Sequence, residues 1–505
     1  MDAEKKMILD VEDTPKRKSQ WFILAMQHIL AMLVACITVP LLTGLPVAAT
    51  LIAAGVGTIC YLLITKMKSP VFLSSSFAYL APMSSALAIG LIGKATGFNY
   101  LALILGMIFV GLVYLIIALV IKFVGTAWLN KLLPPIIVGP VIMVIGLGLA
   151  SSAVSNITTA SGSSQSYNLL ALLCGVCALF ATALASHYGK KMIKLIPFIV
   201  GMGSGYLIAL VITLIGYYGC NSDYCHIIDF QPLIDIFSPD KISFASFFNY
   251  KLFVPNDPES FIFLRFDQIS AFDWTTIGEV ALLFIPVAFV TVCEHIGDHE
   301  NLGNILGRDL LNGEPGMKRT LTGDGLATAI SGALCGAANT TYGENVAVVG
   351  MTKIASVKVV LLAAIMTVGF GFLTPFTALL ETIPSCVTGG VSLILYGFIA
   401  SSGVKMLISD KIDMGKTKNI FISSVILVAG IGGLTLKFGS DGKGGSLIQI
   451  TSIAVSMILG IVMNFILKDK TDEHKEHLEA IKAIREEKPD TAKQAACENT
   501  ESEAK

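Results

Sequence analysis

Three acidic residues stand inside stretches that are otherwise apolar: Glu294 and Asp298 in VALLFIPVAFVTVCEHIGDHENLG, and Glu344 in NTTYGENVAVVG. An ionised side chain in such surroundings costs about 2.5–3.5 kcal/mol on insertion scales, which makes all three functional candidates. Glu294 and Asp298 are four residues apart and therefore share one helix face, with His295 and His299 as a neighbouring pair of the same spacing. A carboxyl group in a low-dielectric pocket favours its neutral form, and nearby acids push one another the same way, so Glu344 or Asp298 is a candidate proton acceptor. The competing reading is structural. Glu294 and Glu344 would then be carboxylates tied to backbone groups, Asp298 and His299 would sit near a helix end, and Gln27 and His28 would be satisfied polar groups between helices. No HExxH arrangement and no Cys/His set of zinc-binding spacing accompanies these residues, so no metal and no cofactor is expected.

The elements that hold such residues follow from composition. Hydrophobic residues make up 54% of the 505 and charged residues 14%, with a mean hydropathy of +0.74. A soluble chain carries about a quarter charged residues, so the apolar surplus here must face a lipid bilayer. The balance of 35 Lys+Arg against 36 Asp+Glu argues against nucleic acid as a partner. Cys174 and Cys177 have redox-motif spacing but fall in mid-span, without a strand–helix context. Cys220 and Cys225 lie in the polar run GCNSDYC and are disulfide candidates if that loop is extracytoplasmic.

Fourteen spans of roughly bilayer length are expected, at 21–42, 46–65, 71–93, 99–121, 133–154, 167–186, 195–217, 275–300, 319–337, 339–356, 358–379, 383–405, 418–437 and 445–467. The third and tenth are weak, opening with SSSFAYLAP and NTTYGENVAVV. Basic residues test the count. Lys16, Arg17 and Lys18 precede the first span and put the N-terminus in the cytoplasm; a polar arm there also argues against a cleavable signal peptide. Lys66 and Lys68, Lys122 and Lys131, Lys190, Lys191 and Lys194, then Arg308, Lys318 and Arg319 fall in every second loop. Lys405, Lys411, Lys416 and Lys418, and finally Lys468 and Lys470, keep the alternation. Both termini are therefore expected inside, at a cell membrane crossed many times. The chain divides into a cytoplasmic arm (1–20), a first set of seven spans (21–217), an extracytoplasmic loop (218–274), a second set of seven (275–467) and a charged cytoplasmic tail (468–505).

The two sets of seven are related. LPPIIVGPVIMVIGLGLASSAV from Leu133 aligns without gaps with IPSCVTGGVSLILYGFIASSGV from Ile383. Gln27-His28 matches Glu294-His295, and Ser75-Ser76-Phe77-Ala78 matches Thr340-Thr341-Tyr342-Gly343. Spans 1, 3 and 5 thus correspond to 8, 10 and 12. Seven is odd, so the second copy enters the membrane in the opposite direction. Inverted repeats are the signature of alternating-access transporters, whose substrate site lies at the midplane where discontinuous helices meet. The two weak spans occupy equivalent places in the two copies. If their half-helices begin near the centre, free N–H groups and positive dipole ends point at one pocket. A ligand with donors for carboxylates, acceptors for N–H groups and a flat face for Phe77 and Tyr342 is a planar heterocycle of the nucleobase kind.

The run TTYGENVAVVGMTK, with CEHIGDHENLG, SSSFAYLAP, QHILAM and TGGVSLILYG in order, resembles the nucleobase–ascorbate transporter family, most closely its bacterial uracil permeases, over about residues 20–467. The resemblance implies an all-α polytopic fold of 14 transmembrane segments in two inverted repeats. Short antiparallel strands in segments 3 and 10 would meet at the substrate. Segments 1–4 and 8–11 would form a core domain, and 5–7 and 12–14 a gate. It further implies that Glu294 and Glu344 hydrogen-bond the nucleobase edge, that the backbone N–H groups of Phe77 and Gly343 donate to its carbonyls, and that Tyr342 lines the site. His28 and Ser392 would position Glu344 for proton-coupled movement. The protein would be a proton–uracil symporter and no enzyme, with a homodimer through the gate domains as a further implication. One departure touches the mechanism: relatives commonly read EHxGH, with histidine where this chain has Asp298. An extra carboxylate alters local proton affinity, which keeps proton and sodium coupling open, and with them uracil against an oxopurine such as xanthine or urate. An anion transporter of the same architecture would want a basic pocket instead.

Overall fold

The computed structural model describes residues 7–89, 99–161, 167–190, 192–220, 223–238, 244–256, 260–261, 266–438 and 448–467. Lys191, Lys468, Lys470 and the charged tail (468–505) lie outside them.

Among the described residues twenty α-helices form, and the ones used below are α1 (Lys18–Thr43), α2 (Val47–Ile64), α3 (Leu80–Ala88), α4 (Tyr100–Val124), α5 (Pro135–Gly148), α6 (Leu169–Tyr188), α7 (Pro197–Ile215), α8 (Ile277–Leu306), α9 (Met317–Ala333), α10 (Gly343–Thr352), α11 (Val357–Phe372), α12 (Ser385–Ser409), α13 (Thr417–Ile431) and α14 (Ser452–Ile466). Among the described residues, eight helical stretches are long and apolar enough to cross a membrane: those built on α1, α2, α4, α5, α6, α7, α8 and α12. The helices that include α3, α11, α13 and α14 are shorter but apolar. At their ends the boundary chemistry is visible. Gly44 and Gly307 take left-handed φ values of 79° and 68° and close α1 and α8 by bonding back to Pro40 and Gly303, a conformation open to glycine without a Cβ penalty.

Packing sorts the helices into two groups. In the first, α4 packs on α9 and α8, α2 on α9 and α11, α1 on α11, and α10 on both α1 and α8. In the second, α5 packs on α12 and α13, α12 on α6, α6 on α7, and α13 on α14. Most of these contacts map onto one another when each helix is exchanged for the one seven places away. The α4–α9 contact becomes α11–α2, α8–α4 becomes α1–α11, α6–α12 becomes α13–α5, and α6–α7 becomes α13–α14. The sequence repeat is therefore also a repeat of packing. Small residues permit the closest crossings: a Cβ on Gly111 of α4 would lie 2.8 Å from the Gly325 carbonyl oxygen of α9. Such approaches are how apolar helices gain attraction in lipid, where no hydrophobic force drives them together.

Two pairs of short antiparallel strands interrupt the helical pattern among the described residues: Leu436–Phe438 with Ile448–Ile450, between α13 and α14, at the ends of the expected spans 418–437 and 445–467, and β1 (Ser74–Ser75) with β2 (Asn339–Thr340), with Ser74 opposite Thr340 and Ser75 opposite Asn339. Ser, Thr and Asn side chains compete for backbone partners and weaken helices, but extended backbone at membrane depth must have every polar group satisfied. Neighbouring helices supply the partners. Thr58 of α2 bonds both the N–H (3.0 Å) and the carbonyl (3.2 Å) of Leu73, just ahead of β1. Thr328 of α9 donates to the Asn339 carbonyl at 2.7 Å. The Asn339 amide reaches the Ala53 carbonyl at 3.0 Å, and the Thr50 hydroxyl accepts from the Ala337 N–H at 3.3 Å.

The N-terminal arm is ordered into a strap. Leu9 bridges Ile354 in parallel, the Ala355 N–H donates to Leu9 and the Val357 N–H to Val11, and Arg308 pairs with Asp10 at 2.5 Å. The strap thereby joins the loops that follow α8 and α10. At the other end, the loop after α7 packs down on α2 and α11: Leu252 and Phe261 are buried with Ala48, Ala49 and Ile52, and Asn249 donates to the Gly371 carbonyl at 2.6 Å. Cys225 carries a free thiol, while the Cys220 side chain lies outside the described residues.

Candidate functional site

The strand pair, the start of α10 and the middle of α8 converge. Glu294 and Asp298 lie on α8, four residues apart and both half-buried; Glu344 lies in the first turn of α10, also half-buried. Their carboxyl groups stand within electrostatic reach of one another. Gly343 allows this approach, since a Cβ there would meet the Asp298 Oδ1 at 3.3 Å. Around this acidic group the buried polar atoms are short of partners. Ser76 Oγ, Thr340 Oγ1 and Tyr342 Oη are buried without a hydrogen bond among the described residues, while the Thr341 hydroxyl stands beside Asp298 and the Ser75 hydroxyl beside Cys36. Buried polar groups are ordinarily paired. Unpaired ones on and beside the two strands, next to the carboxyl groups of α8 and α10, mark a place where a polar molecule completes the bonding.

Phe77 forms part of a 3-10 turn that follows β1 and meets Tyr396 of α12 edge-on, with ring centroids 5.6 Å apart. This contact brings a helix of the second packing group over the strands of the first. Tyr342 precedes α10 in extended conformation. His28 of α1 bonds Asn345 Oδ1 at 2.7 Å, and the Asn345 amide in turn reaches the Pro70 carbonyl at 3.2 Å. His28 is thus anchored to the residue after Glu344. Ser392 is buried on α12, one turn ahead of Tyr396. All eight residues expected from sequence are therefore near the strand crossing or on helices that flank it.

Two cavities open between the packing groups, and Glu344 lines one of them. One of about 240 Å³ lies between α1, α7 and α10, with Glu344, Leu30, Pro197, Phe198 and Lys194 on its walls. The other, of about 670 Å³, lies between α8, α5 and α12, bordered by Ile296, Glu300, Arg308, Met406 and Asp410. Both open at the end of the molecule where the strap crosses, each between the two packing groups.

Sequence reasoning missed four contributors. Asp324, in the ninth span, is wholly buried and pairs with His295 at 2.7 Å; an acid within an expected span is the signal that identifies it. Tyr396 belongs to TGGVSLILYG, where nothing in the sequence separates it from an ordinary packing aromatic. Thr58 and Thr328, which brace the strands, have no signal in sequence, because a hydroxyl on a helix looks the same whether it bonds its own backbone or another segment.

The helical packing, the interrupted helices and the polar pocket between two groups define a multi-pass membrane transport protein. Solved structures support the fold. The transmembrane domain of the cyanobacterial bicarbonate transporter BicA superposes with TM-score 0.57 at 13% identity, over 89% of this chain and 99% of that one. The murine anion transporter Slc26a9 in its inward-facing state gives TM-score 0.58 at 10% identity, over 90% of this chain and 69% of that one. Residues 19–438 match the model of the xanthine/uracil permease family, described as a permease family, and the chain belongs to it. Its relatives include the uracil permease of Bacillus caldolyticus, 41% identical over 92% of this chain and 95% of that one. The uracil permease of Bacillus subtilis is 38% identical over 93% and 98%, and that of Escherichia coli K12 is 32% identical over 87% and 91%.

Proposed function

We propose that this protein imports uracil with a proton across the cell membrane by alternating access, using fourteen segments in two inverted repeats with both termini in the cytoplasm. The first packing group is the core that carries substrate, and the second is the gate. The observation that carries this reading is the set of unpaired buried polar atoms at the strand crossing, opposed by acidic side chains and bordered by Phe77. A flat, uncharged ring with alternating N–H and C=O groups satisfies such a set from both sides. Glu294 and Glu344 accept from ring N–H groups or, when protonated, donate to a carbonyl. The backbone N–H groups of Phe77 and Gly343 donate to carbonyl oxygens, and the Phe77 ring lies against the base with Tyr342 beside it. Glu344 and Asp298 exchange the coupling proton, with His28 and Ser392 as positioning residues.

Both cavities lie between core and gate at one end, the end with Lys194 and Arg308, which the distribution of basic loops places in the cytoplasm. The conformation described is accordingly inward-facing. Substrate and proton favour the same shift of core against gate, which is how the two are coupled. The test is uptake into proteoliposomes: an inward proton gradient should drive uracil accumulation, and unlabelled uracil should compete better than xanthine. Uptake that ignores the gradient removes the proton; preferential competition by xanthine reassigns the substrate. Chloride or bicarbonate currents would instead favour an anion carrier of the same architecture.

A further inference from the structure

Beyond the acidic residues at the strands, α8 and α9 hold a second titratable group that the transport scheme above does not use. His295 Nδ1 lies 2.7 Å from Asp324 Oδ2, and both side chains are wholly sealed from solvent. His295 Nε2 lies 3.0 Å from the Thr320 hydroxyl, which is itself 3.1 Å from the Met317 carbonyl. The other oxygen, Asp324 Oδ1, is buried and lacks a well-formed hydrogen bond among the described residues, with the Thr341 backbone N–H beside the carboxyl.

We propose that Asp324, His295 and Thr320 form a buried protonation site in the core, separate from the substrate carboxylates, and that loading and unloading it is part of the transport cycle. The proposal rests on the reading of the protein as a proton-coupled importer. A hydroxyl has one hydrogen, so the three side chains have two fully bonded arrangements. In one, Thr320 donates to the Met317 carbonyl and His295 Nε2–H donates to Thr320. A single proton is then shared between His295 Nδ1 and Asp324, and the pair is neutral overall. In the other, Thr320 turns to donate to His295 Nε2, and His295 Nδ1–H donates to an ionised Asp324. The two differ by one proton and one negative charge.

Six titratable groups face the pair: Glu294, Asp298 and His299 from α8, Tyr61 from α2, Tyr79 from the turn ahead of α3, and Tyr114 from α4. Among these, His299 alone can become a cation. Its Nδ1–H is committed to the His295 carbonyl at 2.8 Å, and its Nε2 meets the Tyr61 hydroxyl at 2.7 Å. The neutral ring satisfies both bonds if Tyr61 donates and accepts in turn from Ser69, 2.9 Å away. Among the described residues, the negative charge of the unloaded pair thus has no facing cation to balance it, and it repels charge on Asp298 and Glu294. Protonation at the two places is linked through that repulsion. The mechanical connection is Thr328, one turn after Asp324, whose single hydroxyl hydrogen lies between the Asn339 carbonyl of β2 at 2.7 Å and the Asp324 backbone carbonyl at 3.0 Å.

The test uses the full-length protein in proteoliposomes with two readings: uracil accumulation against an imposed pH gradient, and uracil exchange at equal pH, which needs no net proton transfer. A one-unit gradient drives up to about tenfold accumulation per coupled proton. Asp324→Asn mimics the protonated acid. It should exchange uracil within about twofold of the unaltered protein while its accumulation ratio stays near one. Thr320→Val keeps both ionisable groups but removes the hydroxyl that joins the arrangements, so its accumulation should shift along the pH axis by about half a unit or more with exchange retained. Normal accumulation by Asp324→Asn overturns the proposal, as does parallel loss of exchange and accumulation. If Asp324→Asn does not fold, Thr320→Val decides, and an unmoved pH profile overturns the proposal. An unaltered protein that exchanges uracil but never responds to the gradient overturns the proton-coupling reading itself, and this proposal with it. The control on the unaltered protein therefore separates the two failures.

Discussion

Tyr342→Phe isolates one atom of the proposed site. Tyr342 is buried, its hydroxyl has no partner among the described residues, and it lies within electrostatic reach of Glu294 and Glu344. If that hydroxyl bonds only to ligand, its removal has opposite effects on the empty and occupied protein. An unsatisfied buried polar group costs about 1–3 kcal/mol, so the empty variant should be at least as stable as the unaltered protein. A hydrogen bond to a neutral ligand contributes about 0.5–1.5 kcal/mol net, so uracil affinity should fall about 2- to 13-fold. The assay is thermal unfolding in detergent without uracil and over a uracil titration, with the dissociation constant taken from the ligand-induced shift. An empty variant that melts several degrees lower would refute the reasoning, because the hydroxyl would then have a structural partner. Unchanged affinity would refute it equally, because the hydroxyl would not touch the ligand.

Three further outcomes are expected. Glu294→Gln removes a carboxyl that on the proposed reading bonds the base; a neutral hydrogen bond contributes about 0.5–1.5 kcal/mol net, so uracil binding measured by calorimetry should weaken about 2- to 13-fold without loss of thermal stability, and retained affinity would take Glu294 out of the site. Gly111→Val forces side-chain carbons against the Gly325 carbonyl, 2.8 Å from where the first would sit; overpacking of this kind costs about 1–3 kcal/mol, and an unchanged melting temperature would show that α4 and α9 can separate freely. In the loop after α8, hydrogen bonds from the Asn312 and Leu311 backbone amides and the Asn312 side chain hold the Asp309 carboxyl below the usual carboxylate range. Because the folded value is depressed, this loop's protection is present above the ordinary aspartate value and is lost only as pH falls through the lower folded one. Amide exchange at Leu311 and Asn312 should stay slow down to about pH 4, and opening at higher pH would contradict the assignment.

Much of this arrangement is legible in the sequence because the membrane removes alternatives. An ungapped match between 133–154 and 383–404 already implies that α5 and α12 are equivalent, and they pack on each other. SSSF and NTTY read as poor helices at equivalent places, and there β1 and β2 form. What escapes is any feature that depends on contacts between distant, individually unremarkable residues. The strap pairs Leu9 with Ile354, 345 positions apart, through backbone groups that every residue possesses. The bond from Thr328 to Asn339 requires knowing that α9 runs behind β2. Asp324 is a different case: the rule that singled out Glu294 applies to it unchanged, but TLTGDGLATAISG is polar enough that one more acid does not stand out.

The same fold serves proteins described as anion and bicarbonate transporters, so cargo must be decided by charge at the crossing rather than by architecture. Helix α10 begins at Gly343, and its first N–H groups and positive dipole end favour an anion there by default. In this chain that position already has carboxyl groups of its own, since Glu344 occupies the first turn and Asp298 lies against Gly343. A negatively charged cargo would have to displace or protonate them, whereas a neutral ring uses the carboxylates as acceptors and the helix N–H groups as donors at once. On the proposed reading, the acids turn an anion-binding geometry into a nucleobase-binding one and leave a protonatable group in contact with the substrate. Coupling to a proton then follows from the same residues that select the cargo: the carboxylates that reject an anion are the groups whose charge must change as the core moves between aqueous and buried surroundings.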